Sequence, residues 1–297
     1  MSAPEDGRPR FNPLARRSWT DLGPRVASAI VLLLLAVGGL YIGSYVLGAL
    51  VGAVFAGCYR EWERMVTLKP LATPGAVLIG LLALTGLVFP AFGPLVSLGL
   101  VAVAAIVAAV TSGSEGVRTW RVGGVVFYGI VIVMLLMIRG EAAWAQPGVF
   151  DAGLWACLML GCVIWSTDTG AYFTGRQVGG EKLAPDISPG KTWSGAIGGF
   201  AFGTLVGLVL WLLVVPQSPW WIGLVLAAAL SIIGQVGDLA ESAIKRRFRI
   251  KDSGDIIPGH GGLMDRLDSL TFGVIFLFAV GTIHAGLGAI AAGFLFW

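Results

Sequence analysis

Residues 195–237 read GAIGGFAFGTLVGLVLWLLVVPQSPWWIGLVLAAALSIIGQVG and contain no Asp, Glu, Lys or Arg. The Pro-Gln-Ser-Pro stretch at 216–219 divides this run into two parts. Each part is long enough to cross a bilayer as a helix, because about 20 apolar residues span ~30 Å of hydrocarbon. Residues 26–59 and 269–297 are equally free of these charged residues. The chain is therefore predicted to be an integral membrane protein whose backbone groups bond within helices.

The composition excludes a soluble globular protein. Of the 297 residues, 56% are hydrophobic and 12% are charged, whereas a soluble domain carries about 25% charged residues. We predict an all-α fold, a polytopic membrane bundle of about nine transmembrane helices with a cytoplasmic N-terminus. The predicted spans are 26–42, 45–59, 75–92, 95–111, 122–138, 153–173, 195–215, 219–237 and 269–295. A disordered basic cytoplasmic tail (1–25) precedes an N-terminal helical region (26–150) and a C-terminal region (151–297) with two cytoplasmic loops, 174–194 and 238–268.

The basic residues predict the orientation of these spans. Lys and Arg are enriched in the cytoplasmic loops of membrane proteins, and a cytoplasmic N-terminus places nineteen of the 20 Lys and Arg residues on that side. The exception is Arg139, at the end of the fifth predicted span. Because long basic side chains near helix ends commonly reach water, we expect Arg139 to snorkel to the interface. Both polar loops are then predicted to face the cytoplasm, where nucleotides are found.

The seventh predicted span has a glycine at every fourth position. The residues are Gly195, Gly199, Gly203 and Gly207. Small residues at this spacing let a neighbouring membrane helix approach closely. We expect this helix to act as a scaffold, and its groove is compatible with a homodimer.

The loop 238–268 concentrates charge at the edge of the bilayer. If the preceding helix continues into it, Asp238, Glu241, Ser242 and Lys245 share one face, at positions i, i+3, i+4 and i+7. Ion pairs at a solvated helix end would give the same pattern. Carboxylates at a membrane boundary are costly, however, and this favours a binding role for them.

A second acidic pair, Asp265 and Asp268, opens the last predicted span. Asp near a helix N-terminus caps free N–H groups, and that explanation stays open for either residue alone. Together with Asp238, the pair would suit Mg²⁺, which prefers one or two carboxylates with waters and phosphates. Glu241 is a candidate further ligand. The sequence does not show whether a second cation joins Mg²⁺.

Glycine-rich turns in both loops are suited to phosphate. Gly261 and Gly262, after His260, allow backbone N–H groups to approach phosphate oxygens, although a lone His in a turn is often structural. Residues 187–192 end in Gly-Lys-Thr, as a Walker A loop does. Pro185 replaces the required first glycine and no strand precedes the segment, so a P-loop is rejected.

The first loop still holds a cluster able to bind phosphate, formed by Ser188, Lys191 and Thr192. The Ser188-Pro189 pair would also serve as a turn and N-cap before the seventh span, and the two roles can coexist. Asp168 lies near a membrane face in the sixth predicted span. An ionisable residue in that position is a functional candidate.

Several of these residues form a recognisable pattern. The stretch Ser242-x-x-Lys245-Arg246-x4-Lys251-Asp252-x5-Pro258-Gly259-His260-Gly261-Gly262-x-x-Asp265-Arg266-x-Asp268 resembles the signature of phosphatidate cytidylyltransferases (CDP-diacylglycerol synthases). The segments 168–172 (DTGAY) and 188–193 (SPGKTW) resemble the same family. The chain departs from the family pattern at Ser194, where an acidic residue is common.

The resemblance implies a Mg²⁺-dependent nucleotidyltransferase that converts CTP and phosphatidic acid into CDP-diacylglycerol and pyrophosphate, with no nucleic acid as partner. It also implies a bacterial inner-membrane protein whose active site faces the cytoplasm. The implied metal ligands are Asp238, Asp265, Asp268 and Glu241. The catalytic residues would be Asp238, Lys245, Arg246, Asp265, Arg266 and Asp268. The substrate-binding residues would be Asp168, Ser188, Lys191, Thr192, Ser242, Lys251, His260, Gly261 and Gly262.

Two other functions fit parts of the sequence. A CTP-dependent kinase of a lipid alcohol would use similar residues but would release CDP rather than pyrophosphate. A transporter would carry polar groups near the middle of the membrane in repeated halves. No such repeat is visible, and the acidic residues cluster at one face.

Overall fold

The computed structural model describes residues 22–140, 151–254 and 261–297. These ranges contain nine helices and two short strands. The helices are α1 (Leu22–Ile42), α2 (Ser44–Thr67), α3 (Thr73–Val110), α4 (Glu115–Arg139), α5 (Ala152–Val178), α6 (Trp193–Val214), α7 (Trp220–Arg247), α8 (Met264–Ala285) and α9 (Ile290–Leu295). The strands β1 (Lys182–Ala184) and β2 (Ser188–Thr192) lie between α5 and α6.

Six of the helices in the described ranges, α3 to α8, are long and apolar enough to cross a membrane. The prediction of an integral membrane bundle of helices is therefore confirmed in its coarse form. Many large apolar side chains stay exposed, among them Leu95, Val110 and Leu213. This pattern is expected where lipid, rather than water, surrounds the helices.

Gly93 divides α3 into two helices. Its φ of 72° and ψ of −171° are not helical, and a proline lies on each side of the break. The hydroxyl of Ser97 donates to the carbonyl oxygen of Thr85 at 3.0 Å. In a continuous helix these residues would be ~18 Å apart, so the chain reverses and the halves pack as a hairpin. The break falls between the predicted spans 75–92 and 95–111.

The first polar loop contains a β-hairpin, which the all-α prediction missed. The strands pair antiparallel, with Lys182 opposite Thr192 and Ala184 opposite Ser188. They are three and five residues long. Strands this short show no alternation of polar and apolar residues long enough to indicate a strand.

The start of α6 also differs from the expected arrangement. Ser188 lies in β2, and the N-cap of α6 is Thr192, whose hydroxyl accepts from the Gly195 backbone N–H at 3.1 Å. Ser194, at the position where the family often has an acid, donates its hydroxyl to the Gly179 carbonyl. These two hydroxyl groups fix the junction between the hairpin and the helix.

The glycine groove of α6 is filled by α5 of the same chain. A Cβ atom added to Gly199 would lie 2.6 Å from the carbonyl oxygen of Thr167, and one added to Gly195 would lie 2.9 Å from that of Ala171. The Thr167 hydroxyl also shares a 2.8 Å hydrogen bond with Ser231 on α7. The close helix approach is confirmed. Because α5 occupies the groove, it is not a surface for a second copy.

Arg139 does not snorkel, so that prediction is wrong. Its side chain is fully buried, and Nη1 lies 2.7 and 2.9 Å from the two carboxylate oxygens of Asp151. Its Nε donates to the carbonyl oxygen of Leu40 at 2.7 Å. The guanidinium thus joins α1, α4 and the N-cap of α5, because Asp151 also accepts from the Leu154 N–H.

Other polar contacts collect at the opposite end of the bundle. Glu63 of α2 pairs with Arg121 near the start of α4, and Arg246 of α7 donates to the carbonyl of Ile187 in the hairpin connection. Arg139 lies about 27 Å further along α4 than Arg121. The segments predicted to be cytoplasmic therefore meet at one end of the bundle.

Candidate active site

A cleft of about 1110 Å³ lies among α5, the hairpin, α7 and α8. Its polar lining consists of Asp168, Tyr172, Arg176, Lys191, Thr192, Gln235, Asp238, Asp265, Arg266 and Asp268. Apolar side chains of α1, α2 and α5 form another part of the wall, including Leu32, Leu35, Leu50, Val54 and Trp165. One space therefore offers charged groups and hydrocarbon contacts to the same ligand.

An ion pair joins the hairpin to α7 at the polar part of the cleft. Lys191 Nζ lies 2.6 Å from Asp238 Oδ2, and each side chain is about 30% exposed. The Ser242 hydroxyl donates to Asp238 Oδ1 at 3.4 Å, one helical turn along α7. Since α7 continues to Arg247, the predicted shared face of this helix is confirmed.

Lys245 joins α7 to α8 behind the cleft. Its Nζ lies 2.9 Å from Glu241 Oε2 and 2.6 Å from Asp265 Oδ1. The second oxygen of Asp265 accepts from the Ser253 backbone N–H at 3.2 Å. Lys245 and Glu241 are both buried. The ammonium group therefore offsets the charge of two carboxylates that would otherwise repel each other at close range.

Three further carboxylates lie on the cleft, on Asp168, Asp238 and Asp268. They are close enough for their charges to interact with one another, and the cations of Lys191 and Arg266 act on Asp168. Asp268 Oδ1 accepts from the backbone N–H of its neighbour in α8 at 2.7 Å. Within 22–140, 151–254 and 261–297, no three His, Cys, Asp or Glu side chains form a compact metal-ligand group.

Some predicted site residues do not line the cleft. Those described but absent from its lining are Ser188, Glu241, Ser242, Lys245, Arg246, Lys251, Gly261 and Gly262. Arg246 donates from Nε to the Ile187 carbonyl at 3.0 Å and from Nη1 to the Ile250 carbonyl at 2.9 Å. This guanidinium holds two loops together. His260 lies outside the described residues.

Glu61 on α2 is a buried residue of this region that the sequence interpretation missed. It is 1% exposed and accepts hydrogen bonds from Ser253, Leu263 and Met264 around the start of α8. Glu61 lies among the charged residues Arg60, Glu63 and Arg64 at the end of α2, so its local sequence does not distinguish it from an exposed helix end. Its partners lie about 200 positions away in the sequence, so the pattern of residues around it gives no indication of them.

The matches with known proteins cover most of the chain. Residues 23–284 match the model of the cytidylyltransferase family. A phosphatidate cytidylyltransferase of Brucella suis biovar 1 (strain 1330) is 36% identical over 267 residues, covering 90% of this chain and 95% of that protein. The Staphylococcus epidermidis (strain ATCC 12228 / FDA PCI 1200) enzyme of that name is 36% identical over 258 residues, covering 84% of this chain and 94% of that protein. Its Bacillus subtilis (strain 168) counterpart is 40% identical over 153 residues, covering 52% and 54%.

Proposed function

Since the chain belongs to the cytidylyltransferase family, we propose that it transfers a cytidylyl group from CTP to phosphatidic acid. The products are CDP-diacylglycerol and pyrophosphate. The observation that carries this function is the mixed lining of the cleft. Its charged part suits a triphosphate and a lipid phosphate, and its apolar wall suits acyl chains that remain in the membrane.

The reaction requires little proton transfer. A phosphate oxygen of phosphatidic acid attacks the α-phosphorus of CTP and forms the new P–O bond. The bond from that phosphorus to the oxygen bridging to the β-phosphorus breaks, and pyrophosphate leaves with the electron pair. The second pKa of a phosphate monoester is near ~6, so the nucleophile is largely ionised at neutral pH. The main barrier is repulsion between anions, which positioned cations reduce.

Lys191 and Arg266 are the cationic residues best placed to contact the phosphates. Both line the cleft, Lys191 from β2 and Arg266 from α8. Thr192 also lines the cleft beside Lys191, while its hydroxyl caps α6. Lys245 acts from behind, where it keeps Asp265 in place. Binding of substrate phosphate can compete with Asp238 for the Lys191 ammonium, since their ion pair is partly exposed.

Magnesium fits the donor chemistry of the acidic cluster. Asp238 and Asp268 present hard carboxylate oxygens to the cleft, and Asp168 lies nearby. Two carboxylates are enough, because Mg²⁺ completes its octahedron with waters and substrate phosphates. Asp265 would be a further ligand only if it left Lys245, and Glu241 lies behind the cleft in the same ion-pair group. Bound Mg²⁺ supplies charge neutralisation and alignment of the phosphates.

We further propose nine spans, with the N-terminus and the cleft on the cytoplasmic side of a bacterial inner membrane. The broken α3 supplies two spans, and α1 and α2 would supply the remaining two. The segments rich in Lys and Arg meet at the cleft end of the bundle. In a protein whose other cysteines are replaced, an impermeant thiol reagent outside intact cells should label Gln217→Cys but not Lys69→Cys. The reverse labelling would overturn the orientation.

The function is tested with purified protein in detergent, CTP, Mg²⁺ and one of two acceptors. With phosphatidic acid, we expect equal amounts of pyrophosphate and cytidylylated lipid, and chelation of the metal should stop both. Diacylglycerol is the matched acceptor that lacks the phosphate, and we expect no turnover with it. Release of CDP with diacylglycerol would instead identify a lipid kinase. Absence of turnover from folded protein would contradict the proposed function.

A further inference from the structure

Glu61 occupies an unusual position for a buried carboxylate. Its Oε1 accepts from the Leu263 N–H at 3.0 Å, and its Oε2 accepts from the Met264 N–H at 2.8 Å and from the Ser253 hydroxyl at 2.9 Å. In the described part of the chain it forms no ion pair with Lys or Arg. Burial of such a charge is costly unless hydrogen bonds compensate it. The N-terminal end of the α8 dipole adds further stabilisation.

The backbone on both sides of this carboxylate has no room for side chains. A Cβ atom added to Gly254 would lie 2.6 Å from Glu61 Oε1, and one added to Gly262 would lie 2.9 Å from Oε2. Residues 253–254 and 262–264 therefore pack directly against the same carboxylate. These two stretches are the stems that enter and leave the glycine-rich segment of the signature.

The stems are connected to the charged residues of the site. Ser253 donates its hydroxyl to Glu61 and its backbone N–H to Asp265 Oδ2. Asp265 lines the cleft and pairs with Lys245. Movement of the Glu61 side chain would therefore also move Ser253 and the first turn of α8, and with them Asp265.

We propose that Glu61 is a positioning residue for the reaction. It fixes both stems, residues 253–254 and 262–264, against α2. It thereby holds Asp265, Arg266 and Asp268 of α8 in place relative to α7. It does not touch the substrates. This inference rests on the proposed function for its kinetic test, but not for its structural test.

Glu63 provides a matched control on the same helix. It is buried like Glu61, and its carboxylate is bonded by Arg121 and Tyr59. None of these partners lines the cleft. Glu61→Gln and Glu63→Gln are therefore isosteric changes that each disrupt a buried hydrogen-bonded carboxylate. Only the first disturbs the loop stems.

The kinetic test compares the two variants at saturating CTP and phosphatidic acid. We expect Glu61→Gln to lower kcat on the order of 10²-fold, the cost of a ~1 Å misplacement of reacting groups, with a smaller change in KM. Glu63→Gln should keep kcat near that of the wild type even where its thermal stability falls as much. Equal kcat losses in the two variants at equal losses of stability would show a merely structural role and overturn the proposal.

A milder variant keeps the test decisive if Glu61→Gln folds poorly. Ser253→Ala removes one hydrogen bond to Glu61 and leaves the backbone bond to Asp265 intact. We expect a smaller fall in kcat, and no further fall when Ser253→Ala is added to Glu61→Gln. Additive effects of the two changes would contradict a shared route to Asp265.

Hydrogen exchange supplies a readout that does not depend on activity. In Glu61→Gln, the amides of residues 261–265 should exchange faster than in the wild type, and in Glu63→Gln they should not. Unchanged exchange at these amides would overturn the positioning role whether or not the protein turns over CTP. If the variants differ in exchange in this way but the wild-type protein does not turn over CTP, the proposed function alone would be contradicted.

Discussion

The ammonium group of Lys191 lies 2.6 Å from the Oδ2 atom of Asp238. This contact connects the hairpin, which carries the Ser-Pro-Gly-Lys-Thr segment, to α7, which carries the first acidic residues of the loop 238–268. The two residues are 47 positions apart in the chain, and both line the same cleft. A candidate phosphate-binding cation and a candidate metal ligand are therefore held together before any substrate binds.

Replacement of Lys191 by Met should affect catalysis far more than stability. The ion pair is about 30% exposed, and such pairs contribute about 0–1 kcal/mol, so the melting temperature should change by only a few degrees. If Lys191 contacts the reacting phosphates as proposed, its loss should lower kcat/KM on the order of 10²-fold. Steady-state kinetics and a thermal melt of the same preparation measure both effects.

Lys182→Met is the matched control for this change, because Lys182 lies on the partner strand and is exposed. It should retain nearly full activity. If Lys182→Met lost as much activity as Lys191→Met, the effect would come from the overall charge of the hairpin rather than from a specific contact.

Lys245→Met should destabilise the protein as well as inactivate it. The change leaves Glu241 and Asp265 near each other without their shared cation. Removal of one partner from a buried pair costs roughly 3–5 kcal/mol, and partial exposure of Asp265 reduces that value. Denaturation in detergent should show the loss. Addition of Glu241→Gln to Lys245→Met should recover part of it, and a double variant less stable than Lys245→Met would contradict this explanation.

The Arg139–Asp151 pair should matter for stability alone. Arg139→Gln leaves the Asp151 carboxylate without its cation at the end of the bundle opposite the cleft. We expect a stability loss of roughly 3–5 kcal/mol and an unchanged kcat for each folded molecule. Active-site titration with a tight nucleotide ligand would give the folded fraction. A kcat as low as that of Lys191→Met would show that the two ends of the bundle are coupled and would contradict this prediction.

Gly203→Val should prevent α5 and α6 from packing. The new side chain would collide with the hydroxyl of Thr167 and with the backbone of Val163. Overpacking costs typically 1–3 kcal/mol, and more where backbone must move. Gly80→Val is the control, because no atom lies within 4 Å of a Cβ at that position. Equal yields of monodisperse protein from the two variants would contradict the predicted helix contact.

Sequence periodicity and hydropathy were sufficient for the parts of the fold that depend on neighbouring residues. The break at Gly93 and the continuation of α7 past Gly237 both follow from local composition and helical spacing. The grouping of Asp238, Ser242 and Lys245 on one face is confirmed for the same reason. Each of these features is decided within a few turns of one helix.

The missed features depend on contacts between distant segments. Hydropathy does not show that Glu61 reaches the start of α8, or that Arg139 finds Asp151 and the Leu40 carbonyl instead of water. The hairpin strands are too short to produce a detectable pattern. The acidic side chains were predicted to form one metal-binding group. The sequence does not indicate which side chain pairs with which, and only the structure shows the partners of each. The metal-binding role itself stays a prediction.

The position of the label in CTP distinguishes cytidylyl transfer from transfer of the γ-phosphate. CTP labelled at the α-phosphorus or at the γ-phosphorus is incubated with the purified protein, Mg²⁺ and phosphatidic acid, and the lipid is then extracted. We predict that the α-label enters the lipid and that the γ-label is recovered only in pyrophosphate. Recovery of the γ-label in the lipid, with CDP in solution, would contradict cytidylyl transfer and identify a kinase.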